Sequence, residues 1–184
     1  MDEVSRDRIL SEAEGYLDLI TVFADRWQLD PEVRDRVATR ALRLLETLQR
    51  RGDDSADVLH LTGQTLRTME QYDAAIEPLT SAADAQPENV HVWLALGWCY
   101  KRVGRLDLAI ESLEEALTAE PGEAIVYYNL ACYWSLANNV QLALEYLSQS
   151  LELSPRFRDL VDAEPDFDPI RNEPGFQALV SVIV

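Results

Sequence analysis

Hydrophobic positions between Ala56 and Pro155 recur at spacings of three and four, and the whole arrangement repeats every thirty-four residues. In the clearest copy, residues 90–123, Trp93, Leu96, Gly97 and Tyr100 share one face of a predicted helix. Ala109, Leu113 and Ala116 share a face of a second. The copy before it, residues 56–89, places Leu59, Thr62, Gly63, Leu66, Ala75, Leu79 and Ala82 at the same offsets. The copy after it, residues 124–157, places Tyr127, Leu130, Ala131, Trp134, Ala143, Leu147 and Ser150 there. The breaks are equally regular: Gly104 and Asn138 fall between the two helices of a copy. Pro87, Pro121 and Pro155 follow the second helix, where a residue without an N–H stops it. A small residue in one helix facing an alanine in the next lets two backbones approach closely. Each copy is therefore expected to be a helical hairpin, and the series an all-α stack.

The flanks break the period. In residues 1–52, Ile9, Leu10, Leu17, Ile20, Phe23, Ala24 and Trp27 predict a helix over residues 4–27. Asp30 and Pro31 supply an N-cap and a first-turn proline, and Val33, Val37, Ala41, Leu44, Leu45 and Leu48 carry a second helix to about Arg50. Arg50, Arg51 and Gly52 close it. Ala41, Leu45 and Leu48 are in phase with the repeat but the first helix is not, so this hairpin reads as a degenerate repeat or an N-terminal cap. Residues 156–184 predict a short helix to about Ala163, turns at Pro165 and Pro169, and a last helix opened by Pro174. A stack leaves its final apolar face open, and Phe167, Ile170, Phe176 and Leu179 are expected to cover it. The carboxylates between them fit no metal-binding loop and are expected to form a solvated acidic turn.

The repeated pattern resembles the tetratricopeptide repeat over residues 56–155, with Leu59, Thr62, Trp134 and Ser150 as its departures. That resemblance implies a right-handed α-solenoid whose first helices line a concave groove. It also implies a non-enzymatic scaffold or adaptor that holds a peptide or helix of a partner protein. The tail run from Asp166 to Leu179 resembles segments that follow repeat arrays in many bacterial proteins of this kind. Some tetratricopeptide domains bind the C-terminal carboxylate of heat-shock chaperones through a clamp of lysines, asparagines and an arginine. Those positions are held here by His60, Gln64, Ala95, Ile125 and Asn129, of which only Asn129 fits, so a peptide ending in EEVD is not expected to bind. The small acidic chaperones of type III secretion resemble this layout too, apart from its tail. A dedicated chaperone and a self-assembly module, monomer or homodimer, stay open beside the adaptor.

Composition narrows the partners. The chain of 184 residues is 47% hydrophobic and carries a formal charge of −17, which argues against nucleic acid and anionic lipid as ligands. No apolar run reaches the ~18–20 residues that span a bilayer, and the opening MDEVSRDR lacks the basic and apolar regions of a signal peptide, so a cytoplasmic location is expected. Cys99 and Cys132 lack CxxC spacing and read as buried free thiols. His60 and His91, with Asp57, could be imagined to hold a metal, but a polar groove wall is the simpler reading. Glu111, Glu114 and Glu115 fall on a solvent face. No catalytic constellation is present, and no cofactor or metal is expected.

The candidate site follows from a second stripe. Residues at the second, fifth, ninth, twelfth and thirteenth positions of each copy lie roughly opposite the core face, where an ordinary amphipathic helix is polar. The first copy obeys, with Asp57, His60, Gln64, Arg67 and Thr68. The second reads His91, Leu94, Trp98, Lys101 and Arg102, and the third Ile125, Tyr128, Cys132, Ser135 and Leu136. Either Leu94, Trp98, Tyr128 and Leu136 form an open floor with a basic rim of His60, Arg67, His91, Lys101 and Arg102, or the chain's own ends cover it, or a homodimer occupies it.

Overall fold

Asp30 shows how local chemistry sets the first break. Its carboxylate accepts hydrogen bonds from the backbone of Glu32 and Val33 at 2.8 and 3.3 Å, and Pro31 opens helix α2, Pro31–Gln49. Gly52 ends the hairpin in the left-handed region at φ +83°. Helix α1, Glu3–Arg26, precedes it. The computed structural model describes residues 3–26 and 29–181, and within these the side chains other than those of residues 23–26. Trp27, the side chains of Phe23 and Ala24, and the last three residues of the tail lie outside the described part.

Three hairpins follow: α3, Ala56–Thr68, with α4, Tyr72–Ala85; α5, Val90–Arg102, with α6, Leu106–Ala119; and α7, Ala124–Leu136, with α8, Val140–Leu153. Each first helix packs on its own partner and on the second helix before it, giving an all-α, right-handed solenoid. Helix α1 packs on α2 and α3, and α2 on α3, so the hairpin whose first helix is out of phase in sequence still stacks on the first repeat. Its stripe of Leu10, Ala13, Leu17 and Ile20 joins Ala38, Ala41, Leu45 and Leu48 of α2 and Val58 and Leu61 of α3 in one core. The core runs on from repeat to repeat, each serving its neighbours.

The repeat's marked residues have distinct jobs. Trp93 Nε1 and Tyr127 Oη donate to the carbonyls of Pro87 and Pro121, both at 2.9 Å, tying each repeat to the turn that precedes it. Leu59 cannot do this. In its place Arg6 of α1 bonds Asp53 Oδ2 at 2.7 Å and Ser55 Oγ at 2.8 Å, so an ion pair fixes the one junction that lacks the aromatic. The two hydroxyl departures from the pattern are satisfied as well: Thr62 Oγ1 donates to the Val58 carbonyl at 2.7 Å and Ser150 Oγ to that of Ala124 at 3.0 Å. Gly104 and Asn138 hold the left-handed turn between helices, and Glu70 holds it in the first copy at φ +59°, where Arg34 of α2 pairs with its carboxylate. Pro78 lies inside α4 without ending it. Ala75, Leu79, Ala82 and Ala83 are all fully buried around it, and that packing outweighs one lost backbone bond.

After Leu153 a short 3₁₀ turn, Pro155–Phe157, leads into α9, Arg158–Val161, then a second 3₁₀ segment, Pro165–Ile170, and α10, Pro174–Ser181. Phe167, Ile170 and Phe176 are buried as anchors and Leu179 packs at the edge of the same core. Arg171 staples the segment by donating to Asp168 Oδ1 and, at 2.7 Å, to the Glu164 carbonyl. Arg158 donates to the carbonyls of Leu179 and Val180 at 2.9 and 3.1 Å, near the negative end of α10.

The helix contact inside a repeat is tightest at the glycines. A Cβ at Gly63 would lie 2.4 Å from Leu79 Cγ, and one at Gly97 would lie 3.2 Å from the Ala109 carbonyl oxygen. Gly63→Ala is therefore expected to cost more than Gly97→Ala, on the order of 1–3 kcal/mol for Gly63, and Gly97→Leu to overpack its site by a similar amount. Urea midpoints of the three variants check this; a neutral Gly63→Ala would contradict the close approach.

Candidate functional site

The concave side is lined by α1, α3, α5 and α7, and it changes character along its length. At its first end, Leu10, Glu14 and Asp18 of α1 face Asp57, His60, Leu61 and Gln64 of α3 across a cleft of about 370 Å³. Gln64 donates through Nε2 to His60 Nε2 at 2.8 Å, which leaves the proton of the neutral imidazole on Nδ1. Burial lowers the His60 pKa to about 4, and the nearby charges of His91 and Arg67 push the same way. His60 and His91 come close enough to sense each other. No group of three or more His, Cys, Asp and Glu among the described residues is arranged to hold a metal.

The middle of the groove belongs to α5. His91 is exposed, and Leu94 and Trp98 are half-buried. Lys101 Nζ lies 4.9 Å from the centre of the Trp98 ring and 5.7 Å from that of Tyr133. Arg102, expected on the same rim, stacks instead on the ring of Tyr72 at the start of α4, 4.6 Å from its centre, which draws it toward the layer of second helices.

In the third repeat the floor is covered by the chain's own tail, the second of the arrangements the stripe leaves open. Tyr128 and Cys132 are 4% and 2% exposed, because the tail lies on α7. The Phe157 ring stacks on Tyr128 at 5.1 Å and Phe167 meets it edge-on at 5.6 Å. Leu136 stays half-buried. The acidic turn is solvated at Asp162, Asp168 and Glu173, but Asp166 is largely enclosed and pairs with Lys101, so one carboxylate of the tail reaches across to α5. The covered floor and the enclosed Asp166 have the same physical reason. The face the stack leaves open includes part of α7's concave side, so whatever covers the end also fills the end of the groove. Burial raises the thiol pKa of Cys99 to about 11 and that of Cys132 well above its ordinary value, which leaves both as inert packing groups.

Two residues that matter here escape the stripe rule. Tyr133 is one position past the ninth, yet its ring passes under Lys101, and Asp166 lies in a segment with no periodicity at all. Only the phenylalanine spacing of the tail hinted at its docking.

Comparison with known proteins places this geometry. The tetratricopeptide repeat family profile matches residues 60–124 and 100–156. Among solved structures, MamA from MSR-1 is 27% identical, with a TM-score of 0.62 over 82% of this chain and 95% of that one. MamA from AMB-1 is 26% identical, with a TM-score of 0.60 over 81% and 96%. YrrB, described as a TPR protein with an unusual peptide-binding site, shares the fold at 22% identity and a TM-score of 0.65, over 83% of this chain and 74% of that one. No curated protein matches the chain.

The imidazole of His60 gives this region a measurable signature. Its folded pKa lies below the ordinary 6.5, so the native state disfavours the proton, and the stability this confers is present above pH 6.5 and lost as pH falls toward 4. Between pH 7 and 4.5 the wild type is expected to lose more stability than His60→Asn, read as the difference in urea midpoint, in which the carboxylate titrations common to both proteins cancel.

Proposed function

The chain belongs to the tetratricopeptide repeat family, whose members are generally protein-interaction modules, and from that premise we propose that it is a non-enzymatic adaptor holding a segment of a partner protein in the stretch of groove between α1 and the tail. The observation that carries this reading is the state of α5. Leu94 and Trp98 remain partly open on the concave face while the floor of the next repeat is filled by the chain itself. An indole flanked by a lysine and beside aliphatic surface is the composition of an interaction hot spot. Support also comes from the likeness to YrrB, whose described peptide-binding site belongs to the same fold. Within the open stretch the residues offered to a partner are His60, Gln64, Arg67, His91, Leu94 and Trp98, with Lys101, held by Asp166, at its edge. Among the described residues no helix is long and apolar enough to cross a membrane.

Trp98→Ala is expected to reduce capture of the partner in an affinity pull-down by about tenfold or more, with a small change in melting temperature. Unchanged capture accompanied by a sharply lower melting temperature would show that the indole is core and the groove is not the site.

A specific feature supports self-association as a second reading. Leu19 and Val22 on α1 are 45% and 55% exposed, and Leu19 adjoins an apolar hollow of about 220 Å³ lined by Ile20, Leu29, Val33 and Val37. Light scattering after size exclusion separates the two: the adaptor reading expects a monomer at micromolar concentration, and a stable dimer dissociated by Leu19→Glu would favour association through this end.

A further inference from the structure

Arg67 and Lys101 occupy the same position of successive repeats, on α3 and α5. Lys101 is paired with Asp166. Arg67 makes no ion pair among the described residues, and its Nε is fully enclosed without a hydrogen-bond acceptor among them. Leaving a charged donor enclosed and unbonded is destabilising, so a side chain in this state marks a place that a ligand can improve. A second donor is close by. Tyr133 on α7 is 1% exposed, its Oη likewise meets no partner among the described residues, and the Arg67 charge is near enough to act on it. Lys101 lies over the same ring. Three consecutive first helices thus bring a guanidinium, an ammonium and a phenol to one part of the groove, in a chain whose overall charge is strongly negative.

The guanidinium and ammonium only donate hydrogen bonds, and the phenol can donate as well, so their common complement is an oxygen that carries negative charge. On the reading that the groove holds a partner segment, we propose that Arg67 and Tyr133 receive an aspartate or glutamate side chain of that segment, alongside the place where the chain's own Asp166 meets Lys101. The tail shows the pattern that fits: Asp166 on Lys101, with the next residue, Phe167, against an aromatic floor. Leu94 and Trp98 stand partly open on α5, the next first helix along the groove, as apolar surface for the neighbours of that carboxylate. Toward α1 the cleft carries Glu14, Asp18 and Asp57, which repel further acidic residues. The occupant is therefore a segment with an isolated acidic residue flanked by apolar or neutral ones, not a polyacidic tract. It also differs from a terminal carboxylate held by a clamp, because the charge is on a side chain within the segment.

A random peptide library displayed on phage and selected on the full chain tests this. Selected peptides are expected to share a single Asp or Glu beside an apolar or aromatic residue. Replacing that acidic residue by its amide is expected to weaken binding about tenfold or more by calorimetry. Arg67→Met, which keeps the apolar stem, is expected to abolish the preference for the acid over the amide while leaving amide-peptide affinity unchanged. Tyr133→Phe removes only the hydroxyl, is expected to reduce the same preference by a smaller factor, and decides the matter should Arg67→Met fail to fold. Selected peptides without acidic enrichment, equal affinity for acid and amide, or a preference untouched by both variants would overturn the carboxylate site. If such neutral peptides lose affinity on Trp98→Ala, the groove reading survives and only the carboxylate site falls; if no peptide is selected at all, both fall.

Discussion

The closeness of two helix backbones governs this molecule. Where α3 meets α4 and α5 meets α6, the first helix presents a glycine to a buried leucine, with Leu79 filling the space at Gly63 and Leu113 with the Ala109 carbonyl filling it at Gly97. The third hairpin has Ala131 there and tolerates a methyl. Each contact sets the spacing of its hairpin, and because every hairpin packs only on its neighbours, the curvature of the stack and the existence of a concave side follow from these repeated local contacts. Aromatic donors to the preceding proline carbonyls then lock one hairpin to the next, and Arg6 does so where the aromatic is missing.

A stack built this way has an unavoidable weakness at its ends. Each internal face finds its complement in the next repeat, and the last face finds none. Phe157, Phe167, Ile170 and Phe176 supply a substitute, and burying each such side chain contributes roughly 1.5–3 kcal/mol. Because the open face of α7 belongs partly to the core and partly to the groove, the tail closes both. Tyr128 and Cys132 become packing residues, and Asp166 extends the cover as far as Lys101 on α5. At the other end α1 stands beside α3 and supplies an acidic wall. The groove that remains is short, centred on Trp98, acidic toward α1 and rich in donors toward α5 and α7.

The electrostatics of that short groove run against the rest of the chain. A surface with 33 acidic and 16 basic residues repels anions at a distance, yet His60, His91, Arg67 and Lys101 are gathered on one side of the stack. Burial keeps His60 neutral, and Lys101 is satisfied from within. Arg67, which carries its charge at every ordinary pH, makes no ion pair among the described residues, and this gives the groove a chemical direction as well as a shape.

The sequence by itself determined the architecture. Residues such as Trp93, Gly97, Ala109 and Pro121 act through contacts within their own repeat or with the adjacent one, and a contact repeated at a fixed offset prints itself on the chain as a period. It also announced that Leu94 and Trp98 are apolar where an ordinary helix is polar, and that the tail carries anchoring phenylalanines. Only the tertiary structure decided which part of the second stripe stays open. That depends on where a non-periodic tail comes to rest, on the long reach of Asp166 to Lys101, and on a ring, Tyr133, that lies against Lys101 of another repeat. Such contacts join positions sixty-five residues apart in the case of the ion pair and occur once each, so no periodicity records them; they come into being only when the stacked helices have fixed the distances across which a side chain must reach.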